Sequence, residues 1–326
     1  MENENHTGLT QFYFHPLSPR REMQLLIFMA FLLMYVVSLC GNSAITLIVC
    51  TDHSLHTPMY FFLANLAALE VFYSSSIAPL TLANLLSGRK ATISLVGCGT
   101  QMFFFIFLGG AECVLLAVMA LDRYVAICNP LRYTLIMSWK VCVCLAAGSL
   151  GLGSLFALQF TTLLFHQSFC DTSEINHFYC DVMPVLRLVC GNTKSLEAII
   201  FAATSITLTV PFLMICISYF FIVAAILQIH SAAGRHRATS TCSSHLTIVL
   251  LQYGCAIFTY CHTSSTYSPE QGQVVSVVYT FVTPLVNPLI YSMRNKELKD
   301  AFSRVLGRKF SLKSSLLSKI VFCHTY

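Results

Sequence analysis

The sequence predicts an all-α membrane protein: a bundle of seven transmembrane helices with the N-terminus outside, followed by a short amphipathic eighth helix. Three observations carry this. Of 326 residues, 56% are hydrophobic and only 10% charged, against about 25% charged in an average soluble domain, and the mean hydropathy is +0.70. Seven apolar runs follow one another, with approximate limits 23–50, 58–86, 98–128, 139–165, 197–230, 238–262 and 273–292. Each has the roughly 20 residues a helix needs to cross hydrocarbon. No soluble domain, linker or low-complexity stretch interrupts them. The chain thus divides into an extracellular tail (1–22), a seven-helix body (23–292) and a cytoplasmic amphipathic helix and tail (293–326).

Orientation follows from the basic residues, which accumulate on the cytoplasmic side. With the N-terminus outside, six of the nineteen Lys and Arg are external (Arg20, Arg21, Arg89, Lys90, Arg187, Lys194) and thirteen internal. The first twenty or so residues lack the apolar core of a signal peptide, so the first helix is expected to direct its own insertion. Asn5-His6-Thr7 then forms a glycosylation acceptor on the exposed side. A net charge of +5, with no basic patch interleaved with aromatics, gives no reason to expect nucleic acid as a partner.

Taking the helices in order, Gly41-Asn42 places an amide in the first, where a hydrogen bond to a neighbouring helix is its simplest role. Pro58 suits the first turn of the second, because its missing N–H would be unpaired there anyway. Glu70 and Glu112 are acids deep in the second and third helices, and intramembrane acids mark functional positions. Asp122, Arg123 and Tyr124 end the third apolar run, where the two charges can neutralise one another and serve as a latch. The fifth run contains Pro211 and ends near Ser218-Tyr219, and the sixth opens on a basic, Ser/Thr-rich stretch. Pro288 removes a backbone donor from the seventh and makes it a hinge candidate. Beyond it, Leu298, Phe302, Val305, Leu306 and Phe310 share a face among Lys299, Arg304, Arg308 and Lys309, as in a helix lying along the inner leaflet.

Of fifteen cysteines, most lie in apolar runs, where they act as small hydrophobes. Cys98, Cys170, Cys180 and Cys190 sit where an oxidising compartment reaches, and four cysteines allow three pairings. His177, Cys180 and Asp181 also admit a metal-ligand reading, the weaker one because a disulfide consumes the thiolate. No cofactor or metal is expected.

Several words in the chain resemble those of olfactory receptors, within the rhodopsin-like G-protein-coupled receptors. These are PMYFFLANL at 58–66, MALDRYVAICNPLRY at 119–133, RATSTCSSHL at 237–246, NPLIY at 287–291 and SMRNKEL at 292–298. The resemblance implies disulfides Cys98–Cys180 and Cys170–Cys190, making the external loop a lid. It implies either a sodium-linked or a purely structural role for Glu70 and Glu112. It also implies a plasma-membrane location in the sensory cilia of olfactory neurons, a small-molecule odorant as ligand, and a stimulatory olfactory-type heterotrimeric G protein that raises cyclic AMP.

The ligand cavity that such receptors share coincides here with three helical stripes. Ile106, Gly109, Gly110 and Cys113 fall on one face of the third helix, and Tyr253, Ala256, Ile257 and Tyr260 on one face of the sixth. Ala203 and Thr207 on the fifth and Thr280 on the seventh sit at comparable depth. No acid stands on the outer half of the third helix, where Phe105 and Ile106 lie, and the seventh has no lysine. An amine-binding carboxylate and a retinal Schiff base are thereby excluded. The expected ligand is small, neutral and mostly apolar, oriented by the hydroxyls of Thr207, Tyr253, Tyr260 and Thr280.

The implied mechanism has Tyr253 report occupancy and the inner end of the sixth helix move outward. Asn287 and Pro288 flex, and Arg123 leaves Asp122 for Tyr219 and Tyr291. Three positions depart from the family pattern: Glu70 in place of Asp, Leu121 in place of Tyr, and Gln252 in place of Phe. A transporter or channel is disfavoured by the absence of internal repeats, and an enzyme by the absence of GxSxG or HExxH patterns.

Overall fold

A computed structural model of the chain describes residues 10–87, 91–170, 173–260, 269–295 and 297–304. Asn5, Val305, Leu306, Arg308, Lys309 and Phe310 lie outside these residues. Seven helices are long and apolar enough to cross a membrane. They are α1 (Arg21–Thr51), α2 (Pro58–Ser87), α3 (Leu95–Cys128), α4 (Trp139–Phe165), α5 (Lys194–Leu227) and α6 (Ala232–Tyr260). The last, α7, runs without a break through Pro269–Val277, Val278–Val282 and Thr283–Arg294. A further short helix, α8, covers 297–304.

Many of the outward residues are apolar. Leu26, Met29 and Leu33 of α1 and Phe220 of α5 are 61–73% exposed, a pattern that water penalises and lipid does not. α3 is central and packs on α2, α4, α5 and α6. Its approach to α4 depends on Gly153, where a Cβ would stand 2.5 Å from the carbonyl oxygen of Phe107 and 2.8 Å from the nitrogen of Ala111. α3 starts at Ser94, whose hydroxyl accepts from the Gly97 N–H at 3.0 Å, satisfying one of the unpaired donors of a helix start.

The seventh helix has two irregularities with identifiable causes. Val278–Val282 is a π-turn, and Pro284 lacks the N–H that would close an ordinary turn onto the carbonyl of Thr280. One turn on, Pro288 leaves the carbonyl of Pro284 without its helical donor. Asn42 of α1 supplies the missing hydrogen, its Nδ2 donating to that oxygen at 2.9 Å. Gly41 lets the helices approach this closely, since a Cβ there would lie 2.9 Å from Pro288 Cγ.

The all-α expectation missed a small sheet at one end of the bundle. β1 (Gln11–Phe14) lies between β2 (Thr92–Ser94), antiparallel to it, and β3 (Glu174–Ile175), parallel to it. Its Gln-Phe-Tyr-Phe alternates exposed and buried, as the period of two in a strand requires. Phe12 and Phe14 enter a core with Met102, Ile175 and Val185. At the opposite end, α8 seats Leu298 and Ala301 inward. Arg304 Nη2 there donates to Asp52 Oδ2 at 2.8 Å. The Ser54 hydroxyl, with this guanidinium, holds the Asp52 carboxyl down at about 2.

Candidate functional site

A cavity opens between α3, α5, α6 and α7 toward the sheet end, with about 750 Å³ of space between atoms, part of it open to the surroundings. Of the residues expected there, Ile106, Gly109, Gly110, Cys113, Thr207 and Ala256 line it. All four residues of the α3 stripe thus border this cavity; an added Cβ at Gly109 would meet the Tyr73 ring, and one at Gly110 the Gly153 Cα of α4, each at 3.5 Å.

Four expected members do not line the cavity. Ile257 is 42% exposed on the outer surface of α6. Tyr253 is buried, and its hydroxyl donates to the Cys113 carbonyl at 2.9 Å, so it supports a lining residue instead of forming the wall. Ala203 packs half-buried toward the core beside the sheet, and Thr204 and Leu208 take the wall on α5. Thr280 is turned inward, its hydroxyl donating to the Ser276 carbonyl at 2.6 Å. The extra residue of the π-turn rotates that face, and Tyr279 reaches the cavity. The side chain of Tyr260 lies outside the described residues. Tyr73, Phe105, Phe156, Phe160, Val182 and Gln252 also line the space. Only Gln252 among these had a signal in the sequence, as an amide where an aromatic ring is usual.

The roof is the segment between α4 and α5. Cys98 is bonded to Cys180, and Cys170 to Cys190. Cys180 N–H donates to Gln101 Oε1 of α3 at 3.0 Å. Asp181 caps the short helix Val182–Leu186, accepting from the Val182 N–H at 2.7 Å, which sets Val182 against the cavity. His177 is buried and lies 3.0 Å, Nε2 to Oγ, from Ser276 of α7, and Tyr179 is hydrogen-bonded to Tyr279 through their hydroxyls. Burial pushes His177 down to about 3. The Cys180 sulfur is in a disulfide, and among the described residues His177 and Asp181 belong to no group of three side chains that could hold a metal.

Below the cavity, each buried acid meets an amide from across the bundle. Asn287 Nδ2 donates to Glu70 Oε1, and Gln252 Nε2 donates to Glu112 Oε2 at 3.1 Å.

The opposite end corrects one expectation. Asp122 and Arg123 do not pair with one another. Successive helical residues point about 100° apart, so they face different neighbours. Asp122 Oδ1 accepts from the Tyr133 hydroxyl at 2.8 Å, while Arg123 Nη1 donates to the Thr241 carbonyl of α6. Tyr124 lies against Phe221, ring centres 5.8 Å apart. The expected partner Tyr219 already stands in hydrogen-bonding reach of the guanidinium, and Tyr291 faces the same charge without a bond to it. Tyr219 is 2.9 Å from His245 Nδ1, and His245 Nε2 is 3.1 Å from the Leu116 carbonyl. With Nε2 carrying the proton, one chain of bonds links α5, α6 and α3. Tyr291 shares a small cavity with Arg123, Thr241 and Ser244, its hydroxyl without a partner among the described residues. Thr241 and His245 were present in RATSTCSSHL, yet nothing local to the sequence shows that they reach α3.

A family model described as olfactory receptor matches residues 31–309. The chain is similar to olfactory receptor 10V1 of Homo sapiens, 61% identical over 310 residues, covering 95% of this chain and 100% of that one. It is similar also to human olfactory receptor 10Q1, 52% identical over 306 residues with 94% and 96% covered. A third, human olfactory receptor 10R2, is 47% identical over 310 residues with 95% and 92% covered.

Proposed function

Because the chain belongs to the olfactory receptor family, we propose that it binds a small, neutral, mostly apolar volatile in the α3–α5–α6–α7 cavity and activates a stimulatory G protein of the cyclic AMP pathway. The chain is a multi-pass membrane receptor and not an enzyme. The observation that carries the ligand class is the wall itself: Phe105, Ile106, Phe156, Phe160, Leu208 and Ala256 with few polar groups between them. Such a site binds by apolar burial and orients through its few polar contacts. An external N-terminus puts the cavity and its roof outside and Arg123 within, in the membrane of sensory cilia.

The resting contacts give this reading a mechanism. Tyr253 holds α6 to α3 behind Cys113, a residue the ligand touches. Arg123–Thr241 and His245–Leu116 hold the same two helices together at the inner end. A ligand that fits better when α6 is displaced shifts the population toward that arrangement by its difference in affinity. Arg123 then gives up the Thr241 carbonyl, stays with Tyr219 and gains Tyr291, Asn287 and Pro288 flex, and a cleft opens for the G protein. A sodium ion, if bound, would neutralise buried carboxylate charge; Glu70 and Glu112 would hold it, offering the hard oxygens such a cation takes, and one oxygen of Glu112 has no hydrogen-bond partner.

The test is Arg123→Ala in cells carrying a cyclic AMP reporter. Odorant-driven cyclic AMP is abolished while surface expression stays largely intact; a persisting response refutes the assignment.

A further inference from the structure

Few polar atoms face the cavity, and they differ in what they ask of a ligand. The Thr207 hydroxyl already donates to the Ala203 carbonyl at 2.8 Å, and that of Tyr279 is engaged with Tyr179 and Ser276. The hydroxyls of Tyr73 and Thr204, on the same wall, rotate and can either donate or accept. Gln252 cannot adapt in this way. Its Nε2 is committed to Glu112 Oε2 at 3.1 Å. Its Oε1 accepts only, and no protein donor reaches it among the described residues. Gln252 lines the cavity, and this oxygen, unlike the sealed and unpartnered Glu112 Oε1 next to it, is not fully enclosed by protein. It therefore faces the open space.

We propose that Gln252 determines ligand specificity, and that the receptor selects apolar molecules carrying one hydrogen-bond donor, namely alcohols. The inference rests on the ligand cavity proposed above. A ligand expels water from the cavity, so an acceptor that gains no donor loses its hydration without compensation. A hydroxyl donates to Oε1 and can still accept from Tyr73 or Thr204. The methyl ether of the same alcohol has nearly the same shape and accepts as well, yet leaves Oε1 unpaired. Glu112 acts as a positioning residue, since its carboxyl keeps the amide nitrogen turned away from the cavity.

The experiment uses the full chain with an N-terminal tag for surface level and a cyclic AMP reporter. Its probes are aliphatic, terpenoid and aromatic alcohols, each paired with its O-methyl ether. The expected result is that alcohols act at concentrations about tenfold or more below their ethers, the factor that 1.4 kcal/mol represents. Gln252→Met, which keeps the volume and removes the acceptor, brings each pair to within about twofold, the low end of one net hydrogen bond. Gln252→Phe, the residue usual in relatives, serves the same purpose if the methionine variant does not reach the surface. Ethers as potent as alcohols on the unmodified chain, or an alcohol preference that survives removal of Gln252, overturns the assignment while leaving the receptor reading intact. A surface-expressed chain that no volatile activates overturns both.

Discussion

The phenol of Tyr253 donates to the main-chain carbonyl of Cys113 at 2.9 Å, tying the sixth helix to the third directly behind the cavity wall. A buried hydrogen bond of this kind is worth about 1 kcal/mol net, or roughly a fivefold shift in a two-state equilibrium. Tyr253→Phe keeps the ring against Phe212 and removes only the bond. Agonist-free cyclic AMP, normalised to surface level, is expected to rise severalfold. An unchanged basal level would show that this contact does not hold the resting arrangement.

Gly153 tests the packing of the third and fourth helices without touching the cavity's chemistry. A methyl there meets backbone atoms of Phe107 and Ala111 that cannot swing aside, so Gly153→Ala forces the helices apart at a cost of about 1–3 kcal/mol. Gly148 and Gly151 on the same helix have nothing within 4 Å of an added Cβ. Their alanine variants are expected to match the unmodified chain in thermal stability of the detergent-solubilised receptor, with Gly153→Ala clearly below all three. Equal melting of the four would contradict the close approach.

His177 predicts a pH dependence for the roof. Its ring lies against Phe178 and Tyr179, with Ser276 as its hydrogen-bond partner. In the folded chain its value is pushed down to about 3, whereas unfolded it titrates near 6.5. Between those values the unfolded state binds the proton and the folded state does not, so stability rises with pH across the window and is lost as pH falls through it. His177→Gln should flatten the stability difference between pH 7 and pH 4 relative to the unmodified chain. Parallel curves for the two would remove His177 as the cause.

Much of the architecture was legible because a membrane helix must satisfy its backbone within itself, so each apolar run declares one element. The fourth run, 139–165, coincides with Trp139–Phe165. The sixth helix starts at Ala232, earlier than 238, because its first turns are polar and give no hydropathy signal. The sheet was illegible for a different reason: strands of four, three and two residues are too short for periodicity, and their pairing joins segments distant in sequence. The α3 stripe marked the cavity because its glycines are unusual. On α6 the spacing alone left the rotation open, since lipid and core accept the same side chains, and the stripe chosen put Ile257 outside while Gln252 and Ala256 face in. Asp122 and Arg123 show the limit of adjacency in sequence, because neighbours on a helix look in different directions.

The bond from Asn42 to the carbonyl that Pro288 leaves unserved makes the first helix a stakeholder in any bending of the seventh. Swinging the inner half of the seventh helix away from the first would expose a bare peptide oxygen to oil, so the two must travel as one lever, with Gly41 as the bearing surface. Activation that moves the lower seventh helix should therefore carry the first along, and a drug wedged between them would act as a brake far from the odorant.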